Sequence, residues 1–129
     1  MMGDGELQEG VVWESLMAAP NFSLQNLCLI IDKNSLQVDG TVQDVMDIEP
    51  LRDKLQAFKW NVLEIDGHDL TEIMDAFDMA KNHTLGPTVI IAHTVKGKGV
   101  SFMENVVEWH GRAPNAQELE QALQELSIE

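Results

Sequence analysis

The sequence predicts an α/β fold, an open parallel sheet flanked by helices, and three observations carry that expectation. Short apolar runs of strand length recur along the chain, stretches with apolar residues at three- and four-residue intervals lie between them, and each run ends in a polar residue. Continuous apolar strands joined by helical crossovers belong in a sheet covered on both faces. Ligands of such sheets gather outside the carboxyl ends of the strands, so those polar ends are the first candidates for a site.

The chain opens at MMGDGE, and a Gly-Asp-Gly turn ordinarily follows a strand. Met1 and Met2 therefore read as the stump of a strand, and the fold as truncated on its amino-terminal side. Gly10 to Ala19 has helical spacing, and Pro20 is expected to end or kink that helix because proline lacks a backbone donor. Leu27 to Asp32 (LCLIID) is the first full strand, with Cys28 expected as a small buried core residue. As the only cysteine, it can build neither an internal disulfide nor a cysteine-based zinc site. A helix follows over Glu49 to Phe58, then a strand over Val62 to Asp66.

Leu70 to Asn82 is the next helix, with Asp69 as its N-cap and Glu72 at capping-box spacing. Thr88 to Thr94 (TVIIAHT) is the third full strand, and a last helix runs from Asn115 or Ala116 to Leu126. The strand ends to inspect are thus Asp32 to Asn34, Asp66 to Asp69 and His93 to Lys96. Neither a linker nor a repeat divides the chain, so residues 1–129 read as one partial domain.

Composition narrows the function. An apolar fraction of 44% and a charged fraction of 23% suit a chain that folds around a core. No apolar run approaches the roughly 20 residues that cross a bilayer. The first ten residues lack the basic and apolar regions of a signal peptide, so a cytoplasmic location is expected. With 22 acidic against 8 basic residues, the net charge of −14 repels nucleic-acid phosphates and anionic lipid, and neither nucleic acid nor membrane is an expected partner. A phosphate ligand would have to meet locally placed cations.

Alone, Gly3-Asp4-Gly5 is an ordinary turn. Its weight comes from Asn34, at the end of the next strand, because the 28 residues between Gly5 and Asn34 fit one helix and one strand. A right-handed crossover then brings both turns to the same rim of the sheet. Mg²⁺ takes about six oxygen ligands and rarely fills them all from protein. Asp4 offers a carboxylate and Asn34 an amide carbonyl, and the tight segment Asn34-Ser35-Leu36 can turn a backbone carbonyl inward, leaving room for two diphosphate oxygens and one water. Lys96 stands in TVKGKG, where Gly97 and Gly99 could expose backbone N–H groups as an anion-binding nest. Glu9 has a plain structural reading near the start of a helix, where an acidic residue favours the dipole. Among the histidines, His68, His83 and His93 read as structural or solvent-exposed, and His110 has the context that suggests chemistry.

GDGELQEGVVWESLMAA followed by NLCLIIDKNSLQVDG resembles the thiamine-diphosphate motif of transketolases. The likeness continues in order through WNVLEIDGHD, GPTVIIAHTVKGKGVSFMEN and EWHGRAPN, over essentially the whole chain. The resemblance implies thiamine diphosphate and Mg²⁺ as cofactors, with Asp4, Asn34 and the carbonyl of Leu36 as metal ligands. It further implies Gly5 and Lys96 near the diphosphate, Val38 against the cofactor, His110 facing the sugar substrate, and Glu9 at a subunit interface where two active sites communicate. The reaction implied is transfer of a two-carbon ketol unit between sugar phosphates, within carbohydrate metabolism and the pentose phosphate pathway. The partner implied is a carboxyl-terminal, pyrimidine-binding subunit or domain, in a dimer of heterodimers of a split two-subunit enzyme. This polypeptide is expected to be inactive alone. Three other readings stay open at this point: 1-deoxyxylulose-5-phosphate synthase, a 2-oxoacid dehydrogenase first component, and a non-catalytic interaction remnant.

Overall fold

The computed structural model describes residues 1–127. In chain order the strands are β1 (Met2–Gly3), β2 (Cys28–Lys33), β3 (Leu36–Gln37), β4 (Gly40–Thr41), β5 (Asn61–Asp66) and β6 (Thr88–His93). The helices are α1 (Gly10–Asn21), α2 (Val42–Met46), α3 (Leu51–Ala57), α4 (Leu70–Asn82) and α5 (Ala116–Leu126), with 3₁₀ segments at Asp4–Gln8 and Val107–His110. The main sheet runs β1-β2-β6-β5 with every neighbouring pair parallel, and β3 with β4 forms a small antiparallel hairpin beside it. This is the open α/β sheet the apolar runs predict, with a short strand at Met2.

Side chains alternate across the strands and divide the interior in two. On one face Ile31, Val62, Val89 and Ile91 meet Leu16 and Ala19 of α1, Val42 of α2, and Leu51 and Leu55 of α3. Each fully buried Leu or Ile stabilises the fold by roughly 1.5–3 kcal/mol. On the other face Ile65, Ile90 and Ala92 meet Ile73 and Phe77 of α4 around a depression of about 330 Å³ that reaches Ile30 and Met1.

Several sequence expectations need correction. Cys28 is exposed rather than buried, because β1 pairs only with Ile31 and Asp32 and leaves the start of β2 without a flanking strand. Helix α1 runs through Pro20 to Asn21. The carbonyl that a donor at position 20 would have met is that of Leu16, four residues back. It accepts instead from the buried Trp60 indole at 2.7 Å, so the proline leaves no acceptor unmet. Asp69 does cap α4, accepting from the N–H groups of Thr71 at 2.7 Å and Glu72 at 3.2 Å. The reciprocal half of the box is missing, since Glu72 reaches back to the N–H of Asp66 at 2.7 Å. Helix α3 begins at Leu51, where the Glu49 carboxylate accepts from the Leu51 N–H at 2.7 Å. No helix among the described residues is long and apolar enough to cross a membrane.

Candidate functional site

The parallel register sets the site. Gly3 lies opposite Asp32, so the turn after β1 emerges beside the end of β2. There Asp4 begins the first 3₁₀ segment, and only 1% of its surface is exposed. Its Oδ2 accepts from the Ser35 N–H at 2.7 Å and its Oδ1 from the Gly5 N–H at 3.0 Å. Asp4 and the Asn34-Ser35 turn therefore share one rim, as the crossover rule requires. Ser35 takes a left-handed φ of 65°, which costs a non-glycine residue on the order of 1 kcal/mol and doubles the chain back on itself. Within that reversal, Asn34 Oδ1 accepts from the Leu36 N–H at 3.0 Å, and the Leu36 side chain is buried.

The electrostatics of this rim are unfavourable without a cation. Burial pushes the Asp4 carboxyl above its ordinary value, the N–H groups of Ser35 and Gly5 pull it back, and the negative charge of Asp32 raises it further. None of the ion pairs among the described residues involves Asp4. A buried carboxylate held by neutral donors alone fits a site that a positive ion completes. The adjoining glycine fits a close approach as well. A Cβ on Gly5 would lie 3.2 Å from Cβ of Gln37, and Gln37 Oε1 is itself buried with no hydrogen-bond partner among the described residues. These observations match the chemistry of a metal carrying oxygen ligands.

The remaining sequence candidates lie on surrounding loops. Lys96 is half-buried in the turn after β6. The expected glycine nest is only partly free, because the Gly99 N–H donates to Glu104 Oε1 at 3.0 Å and Lys98 lies 3.9 Å from the same carboxylate. Gly97 has a φ of 77°, and a Cβ there would stand 2.5 Å from the carbonyl oxygen of Met103. The Asn105 N–H closes the loop by donating to the Lys96 carbonyl at 2.9 Å. His110 is exposed at the end of the second 3₁₀ segment, which lies against β3. Val38 is 68% exposed at the hairpin tip, and Glu9 is exposed at the start of α1 without a side-chain cap bond. His68 accepts from the Val95 N–H at 2.8 Å, and His93 meets Glu64 at 3.1 Å.

Three residues outside the expected ligand set also take part, two of them, Asp32 and Ser35, in segments the sequence singles out. Ser35 supplies the N–H that fixes Asp4, and its position after a strand-ending asparagine was a usable signal. Asp32 accepts from the Thr94 hydroxyl and faces the rim as a second negative charge. Gln37 carries no sequence signal at all, and only its packing against Gly5 draws notice.

Comparisons with known proteins identify the family. A family model described as "Transketolase, thiamine diphosphate binding domain" matches residues 1–129. The chain is 43% identical over 127 residues to one of the subunits of the apulose-4-phosphate transketolase of Phocaeicola vulgatus, covering 98% of this chain and 45% of that protein. It is 40% identical over 129 residues to the 6-deoxy-6-sulfo-D-fructose transketolase subunit SqwG of a Clostridium species, of which it covers 47%. The chain thus spans about half the length of these curated relatives. Among solved structures, transketolase of Campylobacter jejuni superposes with a TM-score of 0.91 at 32% identity, over 99% of this chain and 20% of that one.

Proposed function

This chain belongs to the transketolase family through its thiamine-diphosphate-binding domain, and on that premise we propose that it is the diphosphate- and Mg²⁺-binding component of a split transketolase. The observation that carries the reading is the buried Asp4 carboxylate, joined to the Asn34-Ser35 turn at 2.7 Å and lacking any cation of its own among the described residues. In this reading residues 1–129 form one partial domain of a cytoplasmic enzyme of carbohydrate metabolism. Asp4, Asn34 and the Leu36 carbonyl would hold Mg²⁺, while Gly5 gives the diphosphate a close backbone approach and Lys96 offsets its charge in an otherwise acidic chain.

Val38, exposed at the hairpin tip, would flank the cofactor, and His110 would hold or release a proton at a sugar hydroxyl. Bound at this rim, thiamine diphosphate would supply the carbanion chemistry of two-carbon ketol transfer between sugar phosphates. Turnover is proposed only for an assembly with a pyrimidine-binding carboxyl-terminal subunit or domain, in a dimer of heterodimers. Glu9 lies exposed where that contact would communicate between sites.

Calorimetric titration of thiamine diphosphate into the chain, with and without Mg²⁺, tests the reading. Metal-dependent binding is the expected result, and no binding in either condition overturns it. Adding the partner subunit should then give ketol transfer between a ketose phosphate and an aldose phosphate. Metal-dependent binding without transfer in the assembled pair would make the chain a non-catalytic remnant.

A further inference from the structure

We propose that Gln37 is a positioning residue for the metal, its side-chain carbonyl accepting a hydrogen bond from the water that completes the Mg²⁺ coordination shell. The inference rests on the cofactor reading above and extends it to a residue outside the ligand set.

Gln37 Oε1 is shielded from solvent yet has no partner among the described residues. A buried acceptor left unmet is unfavourable by about 1–3 kcal/mol, so its retention asks for a donor that arrives with a ligand. The carboxamide lies over the backbone of the metal-binding turn. Measured from a Cβ placed on Gly5, Gln37 Cβ is at 3.2 Å, Oε1 at 3.5 Å and Cδ at 3.9 Å. Gln37 directly follows Leu36, one of the three proposed protein ligands, and packs beside Gly5, which directly follows Asp4, another of them. Its place is fixed by the hairpin, where Gln37 pairs with Gly40.

The ligand count names the donor. With Mg²⁺ bound, Asp4, Asn34, the Leu36 carbonyl and two diphosphate oxygens would supply about five of the six oxygens it takes, leaving one for water. Diphosphate oxygens only accept, whereas a water polarised by Mg²⁺ is a strong donor. Groups that hold metal-bound ligands in this way typically change metal affinity by about 10- to 100-fold when removed.

The test compares wild type, Q37L, Q37M and Q37E as the full 129-residue chain. It reads the Mg²⁺ concentration needed for half-maximal binding at saturating thiamine diphosphate, together with the Tm of the ligand-free chain. Q37L should need about tenfold more Mg²⁺ while its ligand-free Tm holds or rises, because leucine removes the unmet acceptor. Q37E keeps an acceptor and should stay within about threefold of wild type on the same scale. Wild-type Mg²⁺ dependence in Q37L overturns the proposal and leaves the cofactor reading standing. A loss of ligand-free Tm in Q37L that accounts for its weaker binding, and that Q37M shares, makes Gln37 a packing residue and also overturns it. A wild-type chain that binds no thiamine diphosphate at all overturns both.

Discussion

Two regions at the carboxyl ends of the strands treat their polar groups in opposite ways. Among the described residues, the rim at Asp4 and Asn34 keeps a buried carboxylate without a cation and a buried amide oxygen without a donor. The loop from Lys96 to Asn105 meets its own needs. Gly99 donates to Glu104, Asn105 to the Lys96 carbonyl, and Trp109 to the Phe102 carbonyl at 3.0 Å. Unmet buried groups are costly, and stable scaffolds avoid them. The contrast separates a region shaped for a ligand from one shaped to present side chains such as Lys96 and His110. Substitutions in the first should alter binding, and those that disturb the backbone of the second should alter stability.

The largest expected effect is at Asp4. D4N removes the negative charge that would face the metal and should weaken Mg²⁺-dependent thiamine diphosphate binding by about a hundredfold, or ~3 kcal/mol, in calorimetry. Its pH profile sharpens the point. The Asp4 carboxyl titrates above its ordinary 3.8 in the folded chain, so the folded state holds that proton more tightly than the unfolded one. Its contribution to stability is complete below the ordinary value and is lost as pH rises through the raised one. Metal requires the carboxylate, so wild-type affinity should fall as pH descends through the raised value. D4N should lack that step.

Next in size is G97A. With a φ of 77° and a neighbouring carbonyl oxygen 2.5 Å from the new Cβ, the loop must shift, at a cost of about 3 kcal/mol and a Tm fall on the order of 10 °C. Loss of metal affinity without loss of Tm in G97A would break the contrast between the two regions. The smallest effect is at Lys96. K96M should weaken binding by about threefold to tenfold, and added salt should narrow the gap from wild type, since the half-buried ammonium acts through a screened charge.

Much of this was legible in the sequence because local patterns and global fold agree. The apolar runs give strands at Cys28–Lys33, Asn61–Asp66 and Thr88–His93, within a residue of expectation. Asp69 caps its helix as its position predicts, and the last helix starts where expected, with Asn115 accepting from the Gln117 and Glu118 N–H groups. The failures have physical causes. Cys28 looks like core by its neighbours in sequence, but burial of a strand needs flanking strands, and β1 is too short to provide one there. Helix α2 has five residues, too few for a periodic signal, although the Asp39-Gly40 pair before it marks the hairpin turn. Composition alone suggests a nest at Gly97 and Gly99. Sequence order gives no hint that Glu104 folds back into it. Of the site, the acidic and amide residues and the turn at Ser35 were visible by spacing, whereas the left-handed φ of Ser35 and the orphaned Gln37 oxygen emerge only in three dimensions.

Strand β1 joins the sheet through two residues, Met2 and Gly3, and the residue that follows is Asp4. An ion gripped from both sides of this seam would act as a clasp, and part of its binding energy would hold β1 to β2. Amide protons of Ile31 and Asp32 should accordingly exchange more slowly with deuterium once the clasp is closed, while those deep in β6 keep their rates.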